Sequence, residues 1–505
     1  MKARKIKLLS LVLAAILLLS SCTVTPTPDT PSECVHVDVY DDGYCDKCAE
    51  YLFIIIDFYA LNDLHGKLLD GESHPGADEI TTYIKNMRAI DDHAILLSTG
   101  DMWQGSSESN LTYGLMMTDW MNELDFVSMT LGNHEYDWGE EYIEANRDAA
   151  EFPFLAINVY DRETNERVDY CDASVTVECG DITVGIIGAM GDCYSSISAE
   201  QSAGVYFKTG AELTSLVKAE STRLREEGAD VIIYSIHDGH GRSSSTVGDI
   251  SSSELRGYYD VSLSNGYVDA VFEGHTHQNY IYRDDWGVYH LQGGGDNKGL
   301  THLELAVNSV TGTVITTDTD FIRSTALGSL DGDPVIGDLA EKYKDDISKA
   351  DDILGTNSAY RSSGYLTDLV ALLYYEKGVE LWGGDYDIAL GGAYLKLRSP
   401  YELERGDVTY GDVYSILPFD NQIVLCSIEG KYLKSRFLYT SNDGYHIYKN
   451  PSLASQIDDN ATYYIVTDTY TSTYAPNNLT ELARLDASTY ARDLLADYIK
   501  DGGLE

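Results

Sequence analysis

Positive charge is scarce in this chain. Lys and Arg number 35 against 82 Asp and Glu, for a formal net charge of −47. That balance excludes a basic face for a nucleic-acid polymer and an electrostatic hold on anionic lipid. It would also repel an anionic substrate unless bound metal inverted the field locally. Long apolar runs are lacking too. Leu8 to Leu19 falls short of the roughly 20 residues that a membrane-spanning helix needs, and no later segment is longer and as apolar. The remaining composition is that of a globular protein, 43 % hydrophobic with scattered charges, and 505 residues allow several domains with sizeable cores.

The first residues read as a targeting segment. Lys2, Arg4, Lys5 and Lys7 precede the apolar run, and Leu19-Ser20-Ser21-Cys22 resembles a bacterial lipobox. Residues 1–21 are therefore expected to be a lipoprotein signal peptide, with Cys22 as the lipidated residue. A plain secretory signal is the alternative. The expected location is the outer face of a membrane (cell surface or periplasm), held through a lipid anchor only. Residues 22–51 combine a Thr/Pro tether with Cys34-x-His36 and Cys45-Asp46-Lys47-Cys48. Three Cys and one His have approximately zinc-site spacing and favour a small metal-binding knuckle, with a disulfide and one Cys left over as the alternative in an exported chain. Cys171 and Cys179 flank a strand-like run and could pair. Cys193 and Cys426 are expected as buried small apolar groups.

A run of strand-then-loop segments begins near Leu52. Phe53 to Leu61 delivers Asn62-Asp63-Leu64-His65, and Ala94 to Ser98 ends in Gly100-Asp101. Phe126 to Leu131 delivers Gly132-Asn133-His134-Glu135-Tyr136-Asp137, Val231 to Ile236 ends in His237, and Val271-Phe272 ends in Gly274-His275-Thr276-His277. Thr183 to Gly188 is a strand candidate without a ligand. Helical patterns lie between, notably at Asp78 to Ala89 and Ala211 to Glu227. This alternation predicts an α/β sandwich with its site at the carboxyl ends of the strands.

The chemistry of those loop residues converges. Asp63, His65, Asp101, Asn133, His237, His275 and His277 are seven potential ligands from five strand ends. Imidazoles with carboxylate and amide oxygens suit two borderline divalent ions such as Zn²⁺, Mn²⁺ or Co²⁺. Paired ions need a shared carboxylate, and Asp101 is the natural bridge. Such a pair can activate water near neutral pH and clamp the oxygens of a phosphoryl group during in-line displacement. His134 is then spare, placed to stabilise charging oxygens or protonate a leaving oxygen, and Asp137 could orient its ring.

The blocks Asn62-Asp63-x-His65, Gly100-Asp101, Gly132-Asn133-His134-Glu135, His237 and Gly274-His275-x-His277 resemble the five signature blocks of the calcineurin-like metallophosphoesterases. Their order and the Gly-Asn-His-Glu-Tyr-Asp variant are similar to the secreted 5'-nucleotidase / UDP-sugar hydrolase / 2',3'-cyclic phosphodiesterase family, over about residues 52–325. The resemblance implies a four-layer α/β/β/α metallophosphoesterase sandwich. It implies one ion held by Asp63, His65, Asp101 and His277, and another by Asp101, Asn133, His237 and His275. It makes His134 and Asp137 the catalytic dyad.

Residues 326–353 read as a linker, with a charged helix expected from Val335 to Ala350. Residues 354–505 resemble the family's second, α+β 5'-nucleotidase C-terminal domain. Leu366, Leu369, Val370, Leu373 and Tyr374 recur at helical spacing as a core stripe. Leu417-Pro418-Phe419-Asp420-Asn421 matches the family's Pro-Phe-x-Asn block, which implies base stacking by Phe419 and a polar contact from Asn421. Two blocks depart from the family. The substrate Arg is displaced to Arg398, followed by an insertion, Ser399 to Glu404. A Gly-rich block is missing, and Tyr470 falls where the second stacking aromatic is expected.

The expected function is dinuclear-metal phosphoester hydrolysis, removing the 5'-phosphate from extracellular nucleotides. A related phosphoesterase for cyclic nucleotides, nucleotide sugars or another small phosphorylated substrate is the alternative, with a thiosulfohydrolase-like enzyme or a non-catalytic ligand-binding lipoprotein further off. Oligomeric state is not legible.

Overall fold

The structure, a computed structural model, describes residues 34–69, 75–91, 93–198, 200–240, 247–249, 261–394, 402–438, 445–449, 453, 456–473, 477–485 and 489–505. The Cys22 and Arg398 assignments, and the first half of the Ser399 to Glu404 insertion, lie outside the described residues. The chain divides into two compact units, one ending at Leu52 and one running from Phe53 to Glu505.

The second unit begins with the apolar run Phe53–Leu61, a strand as the sequence predicts. It lies inside a six-stranded sheet ordered Val314–Arg323, Gly299–Asn308, Phe53–Leu61, Ile95–Ser98, Ser128–Thr130, Phe154–Leu155. Its neighbours on the Ile95 side are parallel, with Leu61 opposite Ser98 and Ser98 opposite Met129. A seven-stranded sheet carries the parallel set Ile182–Met190, Val231–His237 and Ala270–Glu273. These strands are nearly continuous in apolar residues because both of their faces are covered.

Three apolar layers follow. Ile56, Phe58, Leu97, Ile186, Ile233 and Phe272 are buried together, so the two sheets pack face to face. Helices Ala77–Arg88 and Leu115–Glu123 cover the outer face of the first sheet through Ile80, Ile84, Trp120 and Met121. Helix Gly210–Glu226 covers the second through Leu213, Val217 and Leu224. The result is the expected α/β/β/α order.

A third, five-stranded sheet follows in the C-terminal part, ordered Tyr445–Lys449, Ile388–Tyr394, Thr462–Asp468, Ile423–Glu429, Thr480–Arg484. Helix Ser363–Trp382 buries its Leu366, Leu369, Val370, Leu373 and Tyr374 stripe in the same core as Val466 and Leu425. Its first turn is capped by Ser362, whose hydroxyl accepts from the Tyr365 N–H.

Two expectations change. The helix expected from Val335 to Ala350 stops at Lys342 and resumes only as short turns. The break falls at Tyr343, whose hydroxyl donates to Asp119 Oδ2 at 2.6 Å. Cys171 and Cys179 do not pair. Both are buried free thiols, Cys171 directed at the Ala156 carbonyl and Cys179 at that of His93. Cys193 and Cys426 are buried as expected. Among the described residues no helix is long and apolar enough to cross a membrane.

Candidate active site

All five ligand-bearing loops leave the carboxyl ends of adjacent parallel strands, so they converge at one edge of the sandwich. The backbone there is forced. Asp63, His65, Asp101, His275 and His277 all hold positive φ, between 52° and 65°. That region disfavours residues with a Cβ, and its repetition at five candidate ligands marks strain kept at a functional site. Gly132 is required for a different reason, because a Cβ there would collide with the Asp101 carboxylate.

Two donor clusters result. Asp63, His65, Asp101 and His277 bring ligand atoms within 4.8 Å of one another, and so do Asp101, His237 and His275. Asp101 is common to both. His65 Nδ1 donates to the Gln104 carbonyl at 2.8 Å and His237 Nδ1 to that of Thr99 at 2.6 Å. These bonds fix the tautomers and leave each Nε2 for a metal. His65 Nε2 then lies 3.1 Å from His277 Nε2, and His237 Nε2 lies 3.1 Å from Asp101 Oδ2. Donor atoms this close are satisfied by a shared proton or by a divalent ion bound between them. Asn133 Oδ1 is buried without a hydrogen-bond partner, as a neutral ligand oxygen would be.

The electrostatics agree. Burial would raise the Asp101 carboxyl, but the imidazoles of His237, His134 and His65 hold it well below the usual carboxylate range. Burial would lower His237, but Asp101, Asp63 and Glu135 push it up to about 10. His275 is lowered to about 4 by burial and by the neighbouring His237. A pocket whose carboxylates demand positive charge, with imidazoles as neutral donors, fits two borderline divalent ions.

His134 belongs to neither cluster. Its Nδ1 is 2.7 Å from Asp137 Oδ2, and its backbone N–H donates to Asp101 Oδ1 at 2.8 Å. It lines a cleft of about 1030 Å³ together with Asn133, Asp137, His275 and His277. The C-terminal part supplies the opposite wall, including Phe419, Asn421 and Tyr470. Among the described lining residues the Lys and Arg side chains are Lys298 and Arg484.

Several residues support the site in roles that the sequence taken linearly does not reveal. Glu135 is fully buried and accepts the N–H groups of Asp101, Met102 and Gly132 at 2.7–2.9 Å, tying two ligand loops together. Burial and the Asp101 charge push its carboxyl up to about 7. Asn62 Nδ2 donates to Asp63 Oδ2 at 2.6 Å, while its Oδ1 accepts from Gly293 N–H. Buried Arg492 donates to the Phe419 carbonyl at 2.9 Å and pairs with Asp420. It also lies over the rings of Tyr414 and Tyr490. The motif signalled Glu135 without a role; nothing local signalled Arg492.

A two-sheet sandwich with paired His/carboxylate clusters sharing one Asp at its strand ends is the framework of a metallophosphoesterase. The family described as calcineurin-like phosphoesterase matches residues 56–279, and that described as 5'-nucleotidase, C-terminal domain, matches residues 357–451. The chain thus carries a calcineurin-like phosphoesterase region followed by the C-terminal domain of the 5'-nucleotidases. It is 28 % identical over 238 residues to an apyrase of Tabanus yao, covering 45 % of this chain and 39 % of that one. It is 24 % identical over 404 residues to the UshA protein of Yersinia enterocolitica, covering 71 % and 70 %. The chain thus spans about two fifths of the apyrase's length. In fold it is similar to a 5'-nucleotidase precursor from Thermus thermophilus, with TM-score 0.68 and 17 % identity over 89 % of this chain and 96 % of the other.

Proposed function

We propose that this chain is a metal-dependent phosphoester hydrolase that removes the 5'-phosphate from nucleotides. The observation that carries the reading is the His134–Asp137 pair, set beside two donor clusters that share Asp101 in a cleft walled by Phe419. When bound, two divalent ions supply Lewis-acid stabilisation of the phosphoryl oxygens and activation of the attacking water. Asp63, His65, Asp101 and His277 would hold one ion, and Asp101, Asn133, His237 and His275 the other. The remaining work falls to side chains. Asp137 accepts the hydrogen bond of His134 Nδ1–H, so proton delivery to the leaving oxygen falls to Nε2, and Asp137 stabilises the charged ring. A non-catalytic binder has no use for such a pair beside a complete ligand set.

Phe419, Asn421 and Tyr470 recognise the nucleoside, with stacking as the main grip on the base. Residues 52–325 and 354–505 are the catalytic and substrate-binding domains. The Cys22 lipid anchor places the enzyme on the outer face of a membrane, and Cys22→Ser should release it from the membrane fraction. A panel of nucleoside monophosphates, cyclic nucleotides, nucleotide sugars and thiosulfate esters, assayed with Mn²⁺, Co²⁺ or Zn²⁺, tests the substrate reading. Selective turnover of 5'-nucleotides supports it. Preference for another class, or no hydrolysis at all, overturns it.

A further inference from the structure

Cys34, His36, Cys45 and Cys48 take no part in the chemistry proposed above, yet their ligand atoms all lie within 4.8 Å of one another. Cys34 Sγ is 3.8 Å from Cys45 Sγ, and Cys48 Sγ is 3.5 Å from His36 Nδ1. A disulfide would bring two sulfurs to about 2.05 Å. The edges of a tetrahedron around zinc are set by its bond lengths. Zn–S of about 2.3 Å gives an S–S edge of about 3.8 Å, and combined with Zn–N of about 2.0–2.1 Å gives an S–N edge of about 3.5 Å. Both measured separations coincide with these edges.

The surroundings are those of ligands held for a metal. His36 Nε2 faces Glu50 Oε2 at 3.5 Å, which commits that nitrogen and turns Nδ1 toward the sulfurs. Asp38 builds the intervening turn by accepting from the N–H groups of Asp42 and Gly43 at 3.1 and 2.9 Å. Ala49 N–H closes the Cys45-x-x-Cys48 turn on the Cys45 carbonyl at 2.7 Å. From Cys34 to Leu52 only Asp38, Gly43, Cys45 and Leu52 are buried. That is too little apolar surface to hold a segment of this size, and small modules of this kind depend on a metal or a disulfide.

We propose that Cys34, His36, Cys45 and Cys48 bind one structural zinc ion in a closed four-ligand site, and that the ion folds this module. All four positions are filled by protein, so the site has no opening for a substrate.

The test uses the full chain purified without reductant and loaded with zinc, read by peptide-level alkylation. Cys34, Cys45 and Cys48 should resist iodoacetamide while metal is bound and become reactive on chelation alone, with no reductant. Thiols that appear only after reduction would identify a disulfide and overturn the proposal, as would free reactivity in the zinc-loaded protein. In a second measurement, the Cys45→Ser/Cys48→Ser variant should carry one zinc fewer per chain than the wild type, with phosphoester hydrolysis unchanged. Equal zinc contents would also overturn it.

Discussion

Phe419 lies over the imidazole of His134, with ring centroids 5.7 Å apart and planes 29° from parallel. The two residues come from different halves of the unit. Arg492 holds the Phe419 loop from one side, and Asn110, which donates to the Pro418 carbonyl at 2.9 Å, ties it to the catalytic part. The aromatic proposed to receive the base is thus placed beside the residue proposed to protonate the leaving oxygen.

Removing that ring should separate recognition from chemistry. Phe419→Ala is expected to raise KM for nucleoside monophosphates about 10-fold, in line with about 1–3 kcal/mol per stacked base. Hydrolysis of p-nitrophenyl phosphate should change little, because Asp137 still orients His134. Steady-state kinetics on both esters checks this, and equal losses on both would make Phe419 a packing residue only.

Asp101 is common to both donor clusters. Asp101→Ala should therefore lose both ions of the active site together, with turnover, while a single-cluster change such as His275→Ala should leave one. Metal analysis of the purified variants, with the Cys45→Ser/Cys48→Ser background removing the other proposed ion, gives the count.

His134→Ala should retain metal and bind substrate with near-normal affinity, yet lose about 10²–10⁴-fold in kcat, the usual contribution of a positioned proton donor. Metal content, KM and kcat measured on one preparation distinguish this from collapse of the site. An unchanged kcat would remove His134 from the mechanism.

A buried histidine away from the dyad sets a pH dependence of stability. Burial would lower His290, but Asp284 and Glu273 beside it push it up to about 9. The folded value exceeds the unfolded one of about 6.5, so this group's contribution is fully present below about pH 6.5 and fades as pH rises through about 9. Melting temperature followed from pH 6 to 10 should fall less steeply across that window in His290→Gln than in the wild type.

The convergence of the candidate ligands is legible in the sequence because each of them follows an apolar strand. Phe53–Leu61 delivers Asp63, and Val231–His237 ends on its own ligand, so topology needed only to place parallel strands side by side. Partnerships across distant segments are not legible. Glu135 stabilises a loop 33 residues upstream, and Arg492 holds a loop 73 residues away, and neither distance leaves a periodic trace. The Val335 helix pattern is continuous by propensity, but tertiary anchoring of Tyr343 on Asp119 ends it. Cys171 and Cys179 looked pairable by position, whereas each sulfur is buried against a different carbonyl.

A metal titration of hydrolysis tests the shared-Asp101 centre most directly. The purified full chain is stripped with chelator, then assayed on a nucleoside 5'-monophosphate as Mn²⁺, Co²⁺ or Zn²⁺ is restored. The stripped protein should show no turnover and should recover as the two clusters sharing Asp101 are refilled, with Asp101→Ala unresponsive at every metal concentration. Turnover that survives chelation, or recovery in Asp101→Ala equal to wild type, would contradict the shared centre.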